Sequence, residues 1–286
     1  MKLTLISHFY NEEYLLPFWI KHYINMVDEA ILIDYASTDN SIDIIKTLAP
    51  HWQIIPSKNK YFDTENIDKE VMEIESTITD WKMVMNTTEF VLKKDLKSYL
   101  KEFDKAAPGF GAISTTGVWI VDNETTRSIP LDENKSIVEQ RQYGFFEEDR
   151  MPIKLHPLKD IYLTHPSRSR LIHNKKHGDY YGGRHISYTP NYRDPNLLLA
   201  WFAYSPFDYI KQRKLNIYKR KSKEFIEEVI KIHGEDYFYS MVAKNEEDLE
   251  LKFKHFSEMS YDLSANEHET KSCLARYAQH VQHEIF

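Results

Sequence analysis

The chain has 286 residues, 42% of them hydrophobic and 28% charged, so it can bury a sizeable core and a disordered polymer is excluded as the default. A formal net charge of -7 excludes a nucleic-acid binder working over the whole surface, because neutralising phosphates needs an excess of Lys and Arg. The single cysteine, Cys273, excludes an intramolecular disulfide and a cysteine-rich zinc site, which suits a reducing compartment and leads us to expect a cytoplasmic protein.

The opening apolar run at 3–6 is too short for a signal-peptide core or a membrane span. No later stretch approaches the roughly 20 apolar residues a transmembrane helix needs, so any membrane contact is expected to be peripheral. Strand and helix signals then alternate, with strands over 3–7, 30–34, 53–56 and 82–85 and helices over 13–25, 40–48 and 64–77. Asp39 is placed to cap the second of these helices, on which Ile42, Ile45 and Leu48 share a face. The alternation predicts βαβ units with right-handed crossovers and a mostly parallel, Rossmann-like α/β sheet flanked by helices, whose ligands sit beyond the carboxyl ends of the strands.

Downstream, 109–121 reads as a core strand pair, 122–134 as a polar loop, and 135–195 as aperiodic, aromatic-rich ordered loops. A helical pattern follows over 197–204, 207–218 and 223–233, and the charged segment 235–286 is expected to continue it. We divide the chain into a ligand-binding α/β domain, 1–215, and a C-terminal helical extension, 216–286.

Three segments carry a resemblance. Asn11-Glu12-Glu13-Tyr14-Leu15-Leu16-Pro17-Phe18-Trp19-Ile20-Lys21-His22-Tyr23 follows the first strand, Ile31-Leu32-Ile33-Asp34-Tyr35-Ala36-Ser37-Thr38-Asp39 forms the second, and Asp80-Trp81-Lys82-Met83-Val84-Met85-Asn86-Thr87-Thr88-Glu89-Phe90 comes third. A weaker fourth is Ala203-Tyr204-Ser205-Pro206-Phe207-Asp208-Tyr209-Ile210-Lys211-Gln212-Arg213. In order and spacing these resemble the family-2-like glycosyltransferases. The resemblance implies a GT-A fold, a UDP-, GDP- or dTDP-sugar donor, a divalent Mn or Mg, and a glycan or lipid-linked acceptor in surface polysaccharide biosynthesis. It leaves room for a homo-oligomer and for peripheral membrane contact.

The sequence departs from the family at one place: Asn86 and Thr88 stand where two Asp hold the metal, and only Glu89 remains. A neutral carbonyl and a hydroxyl remove most of the charge that attracts a hard divalent cation. Glu89 is therefore the single metal candidate. Donor-binding candidates are Ser7, Phe9, Asn11 and Glu12 around the first strand's end, Asp34 at the end of the second, Asn86 and Thr88, and Arg170 and His185 from a cation-rich segment. An ionised carboxylate such as Asp34 or Glu12 accepts hydrogen bonds from a base N–H or ribose hydroxyls. Trp19, His22 and Tyr23, at helical spacing, are expected to pack in the core.

The cation-rich segment comprises His165, Arg168, Arg170, Lys175, Lys176, His177, Arg184 and His185, and fixed cations stabilise a departing diphosphate as a metal does. A histidine metal site at His173, His177 and His185 is disfavoured by Gly178, Gly182 and Gly183, which argue against a helix there. An inverting transfer also needs a base for the acceptor hydroxyl, for which Glu148 and Asp149 are the candidates. Two functions follow. One is a metal-independent glycosyltransferase of hexosyl type; the other is a catalytically silent nucleotide- or glycan-binding subunit of a polysaccharide assembly complex. A nucleotidyltransferase is set aside because no Gly-rich phosphate loop with a Lys is present.

Overall fold

The computed structural model describes residues 1–146, 154–156, 159–162 and 168–264. In chain order the elements are β1 (Leu3–Phe9), α1 (Leu16–Tyr23), β2 (Glu29–Asp34), α2 (Ser41–Leu48), β3 (Gln53–Pro56), α3 (Thr64–Glu75), β4 (Trp81–Val84), β5 (Glu89–Leu92), α4 (Leu96–Ala106) and β6 (Ala112–Val121). Then follow α5 (Ile137–Gln140), β7 (Tyr143–Phe146), β8 (Lys154–His156), β9 (Lys159–Tyr162), β10 (Leu171–His173), β11 (Tyr180–Tyr181), β12 (Ile186–Ser187) and β13 (Tyr192–Tyr204). The last described elements are α6 (Phe207–Lys219), α7 (Lys223–His233), α8 (Glu235–Met241), α9 (Glu246–Met259) and β14 (Tyr261–Asp262).

The α/β fold expected from the alternation is present. β3, β2, β1 and β4 lie side by side and parallel, with Phe9 of β1 level with Asp34 of β2 and Pro56 of β3 continuing the row. Every residue of β1 is buried, as befits a strand covered on both faces. Alternation divides its side chains: Leu3, Leu5 and Phe9 join Trp19, Tyr23 and Ile45 of α1 and α2, whereas Ile6 joins Ile67 and Val71 of α3 on the other face. Beyond β4 the sheet becomes mixed. β10 runs antiparallel to both β4 and β6, β7 and then β14 extend it antiparallel, and β13 lies parallel to β6 and antiparallel to β5.

Several local expectations change. The apolar run at 197–204 is strand, part of β13, because it is held between β5 and β6 and buries nearly every side chain; a short continuous apolar run fits a two-sided strand as well as a helix. The strand pair expected at 109–121 is one ten-residue strand, β6. The segment 135–195 contains short strands whose length hides any period. Asn40 rather than Asp39 occupies the cap position of α2, while Asp39 accepts from the Ser41 and Glu13 N–H groups.

The expected boundary at 215/216 falls inside α6, and the described part of 216–264 is tied to the sheet: β14 pairs with β7, and α9 buries Leu249, Phe253 and Phe256 against Trp119 and Phe145. Among the described residues no helix is long and apolar enough to cross a membrane. Phe253 stacks on Phe207 at 4.1 Å between ring centroids. Phe253→Ala should therefore lower stability by about 3–5 kcal/mol, measured by urea unfolding, the cost of emptying a large buried aromatic site. A change near zero would mean that α9 contributes nothing to the sheet's stability.

Candidate functional site

The carboxyl ends of β1, β2 and β4 open onto the loops after Phe9, Asp34 and Val84, which carry the three resembling segments. The first two loops are stitched together. Asn11 donates from its backbone N–H to Ser37 Oγ and from Nδ2 to Thr38 Oγ1, and its Oδ1 accepts from the Thr38 N–H. Asn11 holds φ at 52°, a left-handed conformation Asn tolerates better than most residues with a β-carbon. Asp34 Oδ1 accepts from the Ser37 N–H, closing the turn, while its Oδ2 has no hydrogen-bond partner among the described residues. Glu13 accepts from both nitrogens of Asn40.

A second group surrounds Glu89. Its carboxylate is fully buried and receives Arg170 bidentately, Nη2 to Oε1 at 2.7 Å and Nε to Oε2 at 2.9 Å. Asn86 donates its backbone N–H to Oε2 and Nδ2 to Oε1, and its own Oδ1 accepts from Arg184 Nη2 at 2.9 Å. Arg184 Nη1 in turn reaches Asp68 Oδ1 of α3 at 3.1 Å, and Arg170 Nη1 donates to the Arg184 carbonyl at 2.8 Å, closing a ring of bonds. Arg184 sits at φ 64°, fixed there because Asp68 Oδ2 also accepts from the Gly183 and Arg184 N–H groups. Burial by itself would raise the Glu89 carboxyl, but the charge and hydrogen bonds of Arg170 hold it below its ordinary value.

This ring gives the departure at 86 a physical sense. Asn86 donates to Glu89 and accepts from Arg184 at once, and an ionised Asp cannot donate. Arg170 takes both oxygens of Glu89, which an ion bound to that carboxylate would have to share with the guanidinium. Glu89, the expected metal candidate, is engaged in an ion pair with Arg170, and among the described residues no group of three His, Cys, Asp or Glu side chains is placed to hold a cation.

The other candidates separate. Phe9 and Ser7 are buried on the core side of β1, so strand alternation withdraws them from the α3 face, and His8 takes that face instead. His8 contacts the Tyr35 and Phe62 rings, with Nδ1 3.4 Å from Arg184 Nη2. Burial first, then Arg184, Arg170 and Arg213, push its pKa well below 6.5, so the imidazole is neutral at neutral pH. Thr88 is buried and contributes its carbonyl to the Phe202 N–H. Glu12 is buried and bound by Arg213 of α6, Nε lying 2.6 and 2.9 Å from its two oxygens; burial raises its pKa despite that partner. His185 Nδ1 lies 3.4 Å from Arg170 Nη1. Glu148 and Asp149, with His165, lie outside the described residues.

The cation-rich segment is divided by β10. Arg168 and Arg170 precede it and join the strand-end group. Lys175, Lys176 and His177 follow it and line, with Phe110, a cleft of about 420 Å³ beyond its far end. His173, between them, bonds Glu75 of α3 at 2.9 Å instead of forming a metal site, and Glu75 also accepts from Tyr180 Oη and the Gly178 N–H.

Sequence reasoning missed His8, Asp68 and the cations of α6 and its end. Arg220 stacks on the Tyr10 ring at 3.8 Å and donates to the Tyr35 carbonyl, and desolvation pushes the half-buried Lys221 down to about 8. The signals for these cations were the end of the fourth resembling segment, Lys211-Gln212-Arg213, and the density of Lys and Arg over 211–223, which reads equally well as a solvated helix face.

No protein-family model and no curated protein matches the chain. Among solved structures it is similar to S. aureus TarS 1-349 in complex with UDP, at 11% identity over 100% of this chain and 91% of that one, with a TM-score of 0.41. TarS 1-349 in complex with UDP-GlcNAc is matched at 12% identity over 61% of this chain and 46% of that one, TM-score 0.34. Glucosyl-3-phosphoglycerate synthase from Mycobacterium tuberculosis, in complex with Mn²⁺ and UDP-glucose, is matched at 11% identity over 41% and 43%, TM-score 0.31. In the latter two the chain spans less than half of the other protein's length. Identities this low leave residue roles to be read from this chain alone.

Two outcomes are expected. The Glu89–Arg170 pair stabilises fully above pH 4.5, the ordinary carboxyl value, and its contribution fades as the pH falls through the lower folded-state value. Glu89→Gln should therefore cost about 3–5 kcal/mol near neutrality in urea unfolding, with the deficit shrinking on acidification; a deficit independent of pH would contradict the pairing. Asn86→Asp, though it restores an acid of the family pattern, should lose about 1–3 kcal/mol by setting a second carboxylate against Glu89. Calorimetry should detect no Mn²⁺ binding to that variant, and a stable, Mn²⁺-binding Asn86→Asp protein would refute the ring as described.

Proposed function

We propose that the chain is a metal-independent glycosyltransferase. It would move a hexose-type sugar from a UDP-, GDP- or dTDP-sugar to a hydroxyl of a glycan or lipid-linked acceptor, in surface polysaccharide assembly. The observation that carries the reading is the convergence of Arg170, Arg184, Arg213 and Lys214 on the strand ends of an α/β sheet, where Arg170 takes both oxygens of Glu89. The resemblance of the loops at 11–23, 31–39 and 80–90 to the family-2-like glycosyltransferases supplies the reaction class and the acceptor class.

In this reading Asp34 Oδ2 accepts from the nucleoside, and the neutral His8 with Tyr10 and Tyr35 flanks it. The acceptor oxygen attacks the anomeric carbon and the bond from that carbon to the diphosphate oxygen breaks. The nucleoside diphosphate leaves with the bonding electrons, and the hydroxyl proton passes to a carboxylate, for which Glu148 and Asp149 remain the proposals from sequence. The cations balance the charge that develops on the leaving diphosphate, a task that fixed positive groups perform in a low-dielectric site without reorganising.

A second reading, a catalytically silent nucleotide- or glycan-binding subunit, is favoured by one observation. Glu12, Asp68 and Glu89 are each already bound by an arginine, so none of these three strand-end acids stands ready as a base. Hydrolysis of the donor without acceptor separates the two: turnover supports the enzyme, and binding without turnover supports the silent subunit.

Calorimetric titration with UDP, GDP, dTDP and CMP, each with Mn²⁺ and again with EDTA, is expected to give binding of one nucleotide that EDTA leaves intact. Asp34→Ala should weaken that binding by about 1–3 kcal/mol, the scale of hydrogen bonds to a charged group. Binding that requires Mn²⁺ would overturn metal independence, and no binding would overturn the donor site.

A further inference from the structure

We propose that the cleft beyond the end of β10 is a second ligand site, separate from the strand-end group, and that it takes an acidic saccharide, a sugar bearing carboxylate or phosphate. β10 runs antiparallel to β4 and β6, with His173 level with Lys82 and with Ala112. The chain leaving β10 and the turn entering β6 therefore meet at the amino end of β4, opposite the end that carries Asn86. Lys175, Lys176 and His177 from the first, Gly109 and Phe110 from the second, and Thr189 line a volume of about 420 Å³, within the range of small-ligand clefts. The donor reading makes no use of this cleft.

Its walls are fixed before a ligand arrives. Lys175 Nζ donates to the Gly109 carbonyl at 2.9 Å, and the Asn174 N–H donates to the Gly111 carbonyl at 3.0 Å. Gly111 holds φ at 58°, and a β-carbon there would lie 2.1 Å from Asn174 Oδ1, so the two segments close up only through glycine. The Gly178 N–H is anchored on Glu75 at 2.7 Å. Thr189 is tied back by its N–H to Ser187 Oγ and by its Oγ1 to the His177 carbonyl.

The lining sets the class of ligand. Among the described residues it holds two lysines and a histidine and no Asp or Glu, in a chain of net charge -7; the exposed Asp179 stands outside it. Lys176 is exposed and makes no ion pair among the described residues. His177 Nδ1 accepts from the Asp179 N–H at 3.3 Å, which leaves Nε2 as the ring's donor. Phe110, 40% exposed, supplies an apolar wall, its ring edge-on to Phe103, which stacks on the exposed Tyr192. Ammonium groups bind carboxylate or phosphate as point charges, an aromatic face meets the C–H face of a sugar ring, and Thr189 and His177 serve its hydroxyls. A bare phosphate leaves the Phe110 wall unused, and a neutral sugar leaves the lysines without an anion. No Asn, Gln, Asp or Glu among the described lining residues offers the donor and acceptor pairs that read a base edge, so the lining favours a sugar over a nucleotide.

The test is calorimetric titration of the full chain, and of its Lys176→Glu and Phe110→Ala variants, with trigalacturonate, glucose 6-phosphate, maltotriose and inorganic phosphate. Wild type should bind at least one of the two acidic saccharides, and the one bound identifies the acid group. Lys176→Glu should weaken that binding about 10- to 100-fold, the range for losing a hydrogen bond to a charged group. Phe110→Ala should weaken it about 3- to 10-fold, the scale of a ring contact, and Phe110→Leu reads the same loss if the alanine variant fails to fold. Maltotriose bound as tightly as the acidic saccharides, or inorganic phosphate bound as tightly as glucose 6-phosphate, would overturn the class of ligand. Affinity unchanged in Lys176→Glu would overturn the site, and displacement of the saccharide by UDP would overturn its separateness from the donor site. Wild type that binds neither acidic saccharide would overturn the proposal outright, whatever the outcome of the nucleotide titrations.

Discussion

The buried ion pair between Glu89 and Arg170 is the constraint on which the strand-end region depends. Glu89 begins β5 and Arg170 immediately precedes β10, so the pair joins two strands that are not neighbours in the sheet. Through the Arg184 carbonyl it also fixes the turn after β11, and through Asn86 it fixes the loop after β4. A buried charge is tolerated only when its hydrogen-bonding capacity is filled. Here Asp68 and Glu89 balance Arg170 and Arg184 within one closed ring, which explains how four ionised groups sit together with almost no exposure.

α3 supplies much of this order from an unexpected direction. Its inward face carries Asp68, Glu70 and Glu75 beside the apolar Ile67 and Val71. Each carboxylate receives loop groups: Asp68 the turn at 183–184, Glu70 the Lys58 N–H with Ser57, Asn59 and Tyr35, and Glu75 the Gly178 N–H with His173 and Tyr180. The long segment between β10 and β13, short of regular structure, is held by a helix far from it in sequence. A chain of net charge -7 thereby holds Arg170, Arg184 and Arg213 at one end of a sheet, each bound by an acid: Glu89, Asp68 and Glu12 in turn.

The parallel half of the fold was legible because its strands and helices alternate in hydrophobic period, and each helix has its own apolar face. β13 was not, since an apolar run buried on both sides lacks the alternation that distinguishes strand from helix. The site was legible only at its loops: Asn11, Asp34, Asn86 and Glu89 stand where the resemblance put attention. Their bonding was hidden, because it depends on partners up to 201 residues away, as in the contact between Arg213 and Glu12. Arg170 shows the limit most clearly. Its charge suggested a ligand for phosphate, whereas in the fold that charge is spent on Glu89.

The two strands that end the main path of the sheet bear on how copies of this chain can meet. β3, at one edge, has four residues and ends in Pro56, which offers no N–H to an incoming strand; β14, at the other, has only two residues. Neither of these two strands presents the long, flat row of unpaired backbone groups that templates strand addition. Continuing the sheet from one molecule to the next through β3 or β14 is therefore discouraged, and contacts made at these two strands fall to side chains rather than to backbone.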